Sequence, residues 1–175
     1  MKFYNSIRFL YVIVTTIIFG FTATPAMAEY SNISGSFESV KYTKQEVIPV
    51  PQSQGHIIML TNAATMNSDT SDTGFMNGAN VVISEIVDLD QGNGSSNGYV
   101  TFTMKNGDEI VCKINGNIST TMSADGQPKT GFTGKWSYIS GKGKYANITG
   151  SGNYQGHFVA QDEFVVNWNG YYFLE

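Results

Sequence analysis

Glu85 is the acid whose setting suggests chemistry. It stands in the run Asn80–Asp90, where Val81, Ile83, Glu85, Val87 and Leu89 share one face of an extended chain. Val82, Ser84, Ile86, Asp88 and Asp90 share the other face. A carboxyl on the more apolar face points toward a core, where burial raises its pKa and suits it to act as a general acid or base. The plainer alternatives are a reversal of the two faces, or a carboxylate paired with a lysine near a rim. His56 opens a strand after Gly55, and His157 is out of phase with Tyr154 and Phe158, so both read as exposed edge histidines rather than bases. Cys112, the single cysteine, shares a face with Ile110 and Ile114 and reads as a buried, inert thiol. It leaves no partner for an intramolecular disulfide. No serine or cysteine has the setting of a nucleophilic triad.

Metal and phosphate chemistry find little support. Asp88-Leu89-Asp90-Gln91-Gly92-Asn93-Gly94 begins like a calcium loop, but Gly92, Asn93 and Tyr99 stand where an EF-hand needs a ligand, a glycine and an acid. The segment reads as a polar turn. Two histidines and one cysteine, widely spread, give no zinc pattern. Gly141-Lys142-Gly143-Lys144 lacks the phosphate-loop spacing and leads into a strand, not a helix. The expectation is therefore no metal and no cofactor.

The elements that must position Glu85 come after a leader. Lys2 and Arg8 bracket a short polar start, Phe9 to Phe21 is almost wholly apolar, and Ala26-Met27-Ala28 supplies small residues at a cleavage point. This is the pattern of a secretory signal peptide, residues 1–28, cut after Ala28. The apolar run is shorter than the ~20 residues that span a bilayer. The expected destination is secreted or periplasmic, with no membrane association after cleavage. Residues 29–175 form one domain's length of chain. They carry eight lysines, no arginine and fourteen acidic residues, a formal charge of −6. An acidic chain with scattered lysines is unsuited to nucleic acid.

Within residues 29–175 apolar residues recur with period two, in runs broken by Gly, Asn, Asp and Ser. Ser34–Val47 and His56–Thr65 read as the first strands, separated by Pro49-Val50-Pro51, where proline forbids pairing. Met66–Asn77 reads as a long exposed loop, Asn80–Asp90 as a strand and Gln91–Gly98 as a second loop. Tyr99–Met104 and Glu109–Asn115 form a hairpin about Lys105-Asn106-Gly107-Asp108, whose Asn-Gly suits a type I′ turn. Asn117–Ser123, Gly131–Ile139, Ile148–Ala160 and Phe164–Phe173 complete eight or nine strands. The spacing predicts an all-β antiparallel barrel or sandwich.

Aromatic residues and glycines alternate in the last three strands. Phe132, Gly134, Trp136 and Tyr138 share a face, as do Ile148, Gly150, Gly152, Tyr154, Gly156 and Phe158, and then Phe164, Val166, Trp168, Gly170 and Tyr172. Glycines let a strand bend and leave room for rings, as a closed barrel requires. Ile139-Ser140-Gly141-Lys142-Gly143-Lys144-Tyr145 with Ile148-Thr149-Gly150-Ser151-Gly152 resembles the strand–turn–strand segment of the allene oxide cyclase and dirigent-like barrels, over about Trp136–Phe158. The resemblance implies an eight-stranded, calycin-like closed barrel and a superfamily whose enzymes steer cyclisation of apolar substrates within it. Secreted bacterial proteins are among its members. The family's catalytic carboxylate and its dirigent arginines have no matching positions here.

Three functions stay open. Binding comes first: Phe102, Trp136, Tyr138, Tyr154 and Trp168 line a lumen that takes a small apolar ligand. A solid-core structural or interaction barrel is the second, and a cyclase or isomerase using Glu85 the third. Lumen volume separates the solid barrel from the others. A buried, unpaired carboxylate facing a cavity favours proton chemistry.

Overall fold

The computed structural model describes residues 30–174. The expected leader at residues 1–28 lies outside them. The chain forms β1 (Ser31–Pro49), β2 (His56–Met66), a two-residue β3 (Ser68–Asp69), β4 (Asn80–Asp90), β5 (Asn93–Thr103), β6 (Glu109–Met122), β7 (Pro128–Lys142), β8 (Ile148–Ala160) and β9 (Glu163–Leu174). All pairings are antiparallel, in the order β2-β4-β5-β6-β7-β8-β9-β1, and β1 pairs again with β2. Eight strands thus close on themselves, with β3 an extra rung on β1.

Closure depends on β1. Its first half, from Ser31 to Lys41, pairs with β9, and its second half, from Lys41 to Pro49, pairs with β2. Register shifts between Phe37 and Val40 and between Tyr42 and Lys44 bend the strand between its two partners. Such bulges re-aim a strand at the cost of a ladder bond or two. Pro49 ends it, as proline should.

Two turns differ from the sequence expectation. Gln91–Gly98 is not a loop: Gln91 and Gly92 alone make the turn, and Asn93–Thr103 is strand. Both turn residues have positive φ, 49° and 79°, which is the type I′ signature. At the expected type I′ hairpin, Gly107 alone has positive φ, and its N–H donates to the Met104 carbonyl. That is a type I turn followed by a left-handed glycine. The glycine-rich composition of residues 91–98 hid a strand because its small residues sit opposite bulky neighbours. Gly98 faces Glu85 across the ladder, and a Cβ there would lie 2.9 Å from the Glu85 Cγ. Gly116 likewise sits inside one continuous strand, β6, rather than between two.

The segment after β2 is the larger correction. Met66–Asn77 was expected to be an exposed polar loop, yet Phe75, Met76 and Ala79 are buried in the core. The Phe75 ring stacks on Tyr172 at 4.1 Å and meets Tyr145 edge-on at 5.8 Å. Asn67, fully buried, pins the segment. Its amide donates to the Met76 carbonyl at 3.0 Å and its oxygen accepts from Trp168 Nε1 at 3.0 Å. Asp69 accepts hydrogen bonds from the Ser71 N–H (2.8 Å) and hydroxyl (2.6 Å), and from the Gly74 N–H. Polar composition marked the anchors, Asn67 and Asp69, while the two residues that plug the barrel, Phe75 and Met76, follow them.

Candidate functional site

The lumen is built from two kinds of wall. On β7, β8 and β9 the inward positions mix rings with glycines, and Phe132, Trp136, Tyr138, Tyr154 and Trp168 each lie over a glycine of a neighbouring strand. A Cβ at Gly152 or Gly170 would meet Trp136 Cζ2 at 2.6 or 2.5 Å, and one at Gly134 would meet Tyr154 Cζ at 2.4 Å. Trp168 lies over Gly35 of β1 in the same way, and Phe132 over Gly156. Only hydrogen at those positions lets the rings reach the barrel axis. On β4 and β5 the inward residues are mostly aliphatic or small, among them Val81, Ile83, Ser96 and Val100, with Glu85 in their midst and Phe102 as the one ring.

Between these walls lies a cavity of about 60 Å³. Phe102, Trp136, Tyr138, Tyr154 and Trp168 line it together with Glu85, so the structure brings all six sequence-derived residues to one place. Phe37, Met76, Phe132 and Phe164 line it too. Phe132 and Phe164 stood on the inward faces already read from the alternation. Met76 had no signal, because a loop methionine has no periodicity to place it. The rings pack edge to face: Trp136 and Trp168 are perpendicular at 6.1 Å, and Trp136 lies 4.8 Å from Tyr138.

Glu85 points into this space. Thr61 of β2 and Gly98 of β5 flank it in the ladder. Among the described residues it has no ion pair and no side-chain hydrogen bond. Burial pushes its pKa up from 4.5 to about 7, because the anion loses water and gains no cation. Its charge is felt nearby: burial first, then Glu85, pushes Tyr42 and Tyr154 up to about 12. Two further polar groups lack partners. The Tyr138 and Tyr154 hydroxyls are buried without a hydrogen bond. Ser96 lies near Tyr154 without the geometry of a hydrogen bond. Burial also raises the Tyr138 and Cys112 pKa values strongly, so both stay protonated.

The remaining candidates fall outside the lumen. His56 pairs with Asp88 on the outer face, Nε2 to Oδ1 at 2.6 Å. The Asp88–Gly94 segment is a tight hairpin end, and no cluster of three metal-ligating side chains occurs among the described residues.

Fold and site together define a closed antiparallel barrel with a small aromatic lumen and a single, unpartnered acid. No family model matches the chain, and no curated protein matches it. Solved structures similar to it include two of pterocarpan synthase dirigent proteins. One shares 12% identity over 94% of this chain and 97% of that chain, with a TM-score of 0.46. The other shares 10% identity over 83% of this chain and 96% of that chain, with a TM-score of 0.45. The eight-stranded closed architecture rests on the strand pairing itself.

Proposed function

We propose that this is a secreted or periplasmic barrel that binds a small, largely apolar molecule in its lumen, with Glu85 engaging the ligand's one polar group. The observation that carries this is the unpaired Glu85 carboxyl at a cavity rimmed by aromatic rings. Burying an ionisable group without a partner costs stability and contributes nothing to packing. A solid scaffold has no use for it, and aliphatic residues flank it on the same face of β4. A wholly apolar ligand would leave Glu85 unsatisfied, so the ligand also bears hydrogen-bonding capacity.

A cyclase or isomerase is the second reading. A pKa of about 7 gives Glu85 comparable populations of acid and base at neutral pH, which suits it to move a proton. Native mass spectrometry of protein purified from its own host tests the binding proposal. A co-purifying small molecule, lost from Glu85→Gln, is the expected result. Bare protein from repeated preparations, with no molecule restored by host extract, would overturn it. Turnover of the recovered molecule that disappears in Glu85→Gln would select the enzyme reading, and binding without turnover the first.

A further inference from the structure

We infer that the lumen's ligand is an organic cation, a small ammonium whose nitrogen faces Glu85 and whose carbon skeleton lies against the aromatic wall. This rests on the reading of the lumen as a binding site and adds the charge of what it holds. Every electrostatic feature of the cavity is complementary to positive charge. Its one ionisable carboxyl is Glu85, and no lysine or histidine lines it. Trp136, Trp168, Phe102 and Phe132 supply π systems to the lining, and such rings attract ammonium groups. An anion would meet a carboxylate and no donor cation, which excludes carboxylates and phosphates. A neutral alkane would leave the acid as it is. A cation supplies the missing partner, turning an isolated, half-buried charge into a pair.

The groups around Glu85 bear on its titration. Tyr42 of β1 and Tyr154 of β8 face it, and both stay neutral well above pH 8. Its ladder neighbours Thr61 and Gly98 do not titrate. Lys44 and Glu46, both exposed, border the outer hollow beside the same stretch of β4. Size also constrains the ligand. An engineered cavity of about 150 Å³ holds benzene, so a space of about 60 Å³ suits only a few heavy atoms.

Ethanolammonium, propan-1-ol and propanoate form a matched test set, since the first two differ only in an NH₃⁺ that replaces CH₃. Trp136 and Trp168, the two tryptophans of the chain, both line the lumen, so their fluorescence reads occupancy directly. Ethanolammonium is expected to shift the fluorescence and raise the melting temperature, while propan-1-ol and propanoate at equal concentration do not. Its apparent affinity should increase about thirtyfold from pH 5.5 to pH 8, because only ionised Glu85 pairs with it. Glu85→Gln, which removes an unpaired acid and should fold well, abolishes that increase. Propan-1-ol or propanoate binding as tightly, or affinity falling as pH rises, would overturn the cation and leave a binding lumen standing. No response to any of the three overturns the inference. Only bare protein in the host-purification experiment would remove the binding reading as well.

Discussion

The two walls of the barrel solve different problems. β7, β8 and β9 carry large rings and the glycines that admit them, and Phe132, Trp136, Tyr138, Tyr154 and Trp168 each fill the gap over a glycine. β4 and β5 carry mainly branched aliphatics, one ring (Phe102) and one acid, with Gly98 giving Glu85 its room. The first wall is complete without a ligand, apart from the Tyr138 and Tyr154 hydroxyls. The second holds a carboxyl that nothing in the described protein satisfies. The lesson is that the aromatic wall shapes the cavity and the aliphatic wall supplies its chemistry.

The largest effect should come from closing a gap in the aromatic wall. Gly152→Ala places a Cβ 1.9 Å from the Asn169 carbonyl oxygen and 2.6 Å from Trp136 Cζ2, so backbone and ring must both shift. A destabilisation of ~3 kcal/mol or more is expected. Denaturant unfolding measures it, and a loss under 1 kcal/mol would show that the ring is not confined.

On the other wall, Glu85 makes stability depend on pH with a defined sign. Its folded pKa is raised from 4.5 to about 7, so its contribution is fully present below about pH 4.5 and is lost as pH rises through about 7. The full linkage is on the order of 3 kcal/mol. Glu85→Gln should therefore be more stable than the parent at pH 8 by ~2 kcal/mol, since the buried amide retains some cost of its own. The gap should narrow to within ~0.5 kcal/mol at pH 5. A variant less stable at pH 8 would mean that Glu85 has a structural partner.

These walls were not equally legible in the sequence. Rings and glycines alternating with period two identified β7–β9 and their inward faces, because both residue types are informative about extended, bent chain. The same alternation placed Glu85 on an apolar face. What it could not show was the Asn93–Gly98 half of β5, where small residues carry no hydrophobic period. Nor could it show the plug, because Phe75 and Met76 are held by tertiary contacts with Tyr172, Tyr145 and Asn67 rather than by any local pattern. The type I′ turn at Gln91–Gly92 was masked similarly: Asn106–Gly107 looked the better candidate, and Gln91 adopts positive φ because the β4–β5 ladder demands it.

Smaller substitutions sharpen the contrast. Ile83→Val trims one methylene from the aliphatic wall and should cost ~1 kcal/mol in thermal or chemical unfolding. Tyr138→Phe removes a buried hydroxyl that makes no hydrogen bond, so the change should stay within ~1 kcal/mol and favour the variant. A clear loss of stability would reveal a partner for that hydroxyl.

Everything said of the lumen turns on Glu85 being a half-buried acid with no partner. A carbon-13 NMR titration of its side-chain carboxyl in the intact protein, assigned with Glu85→Gln, reads this directly. A midpoint near 7 is the predicted result; a midpoint at or below 4.5 would mean a solvated or paired carboxylate and would contradict the account.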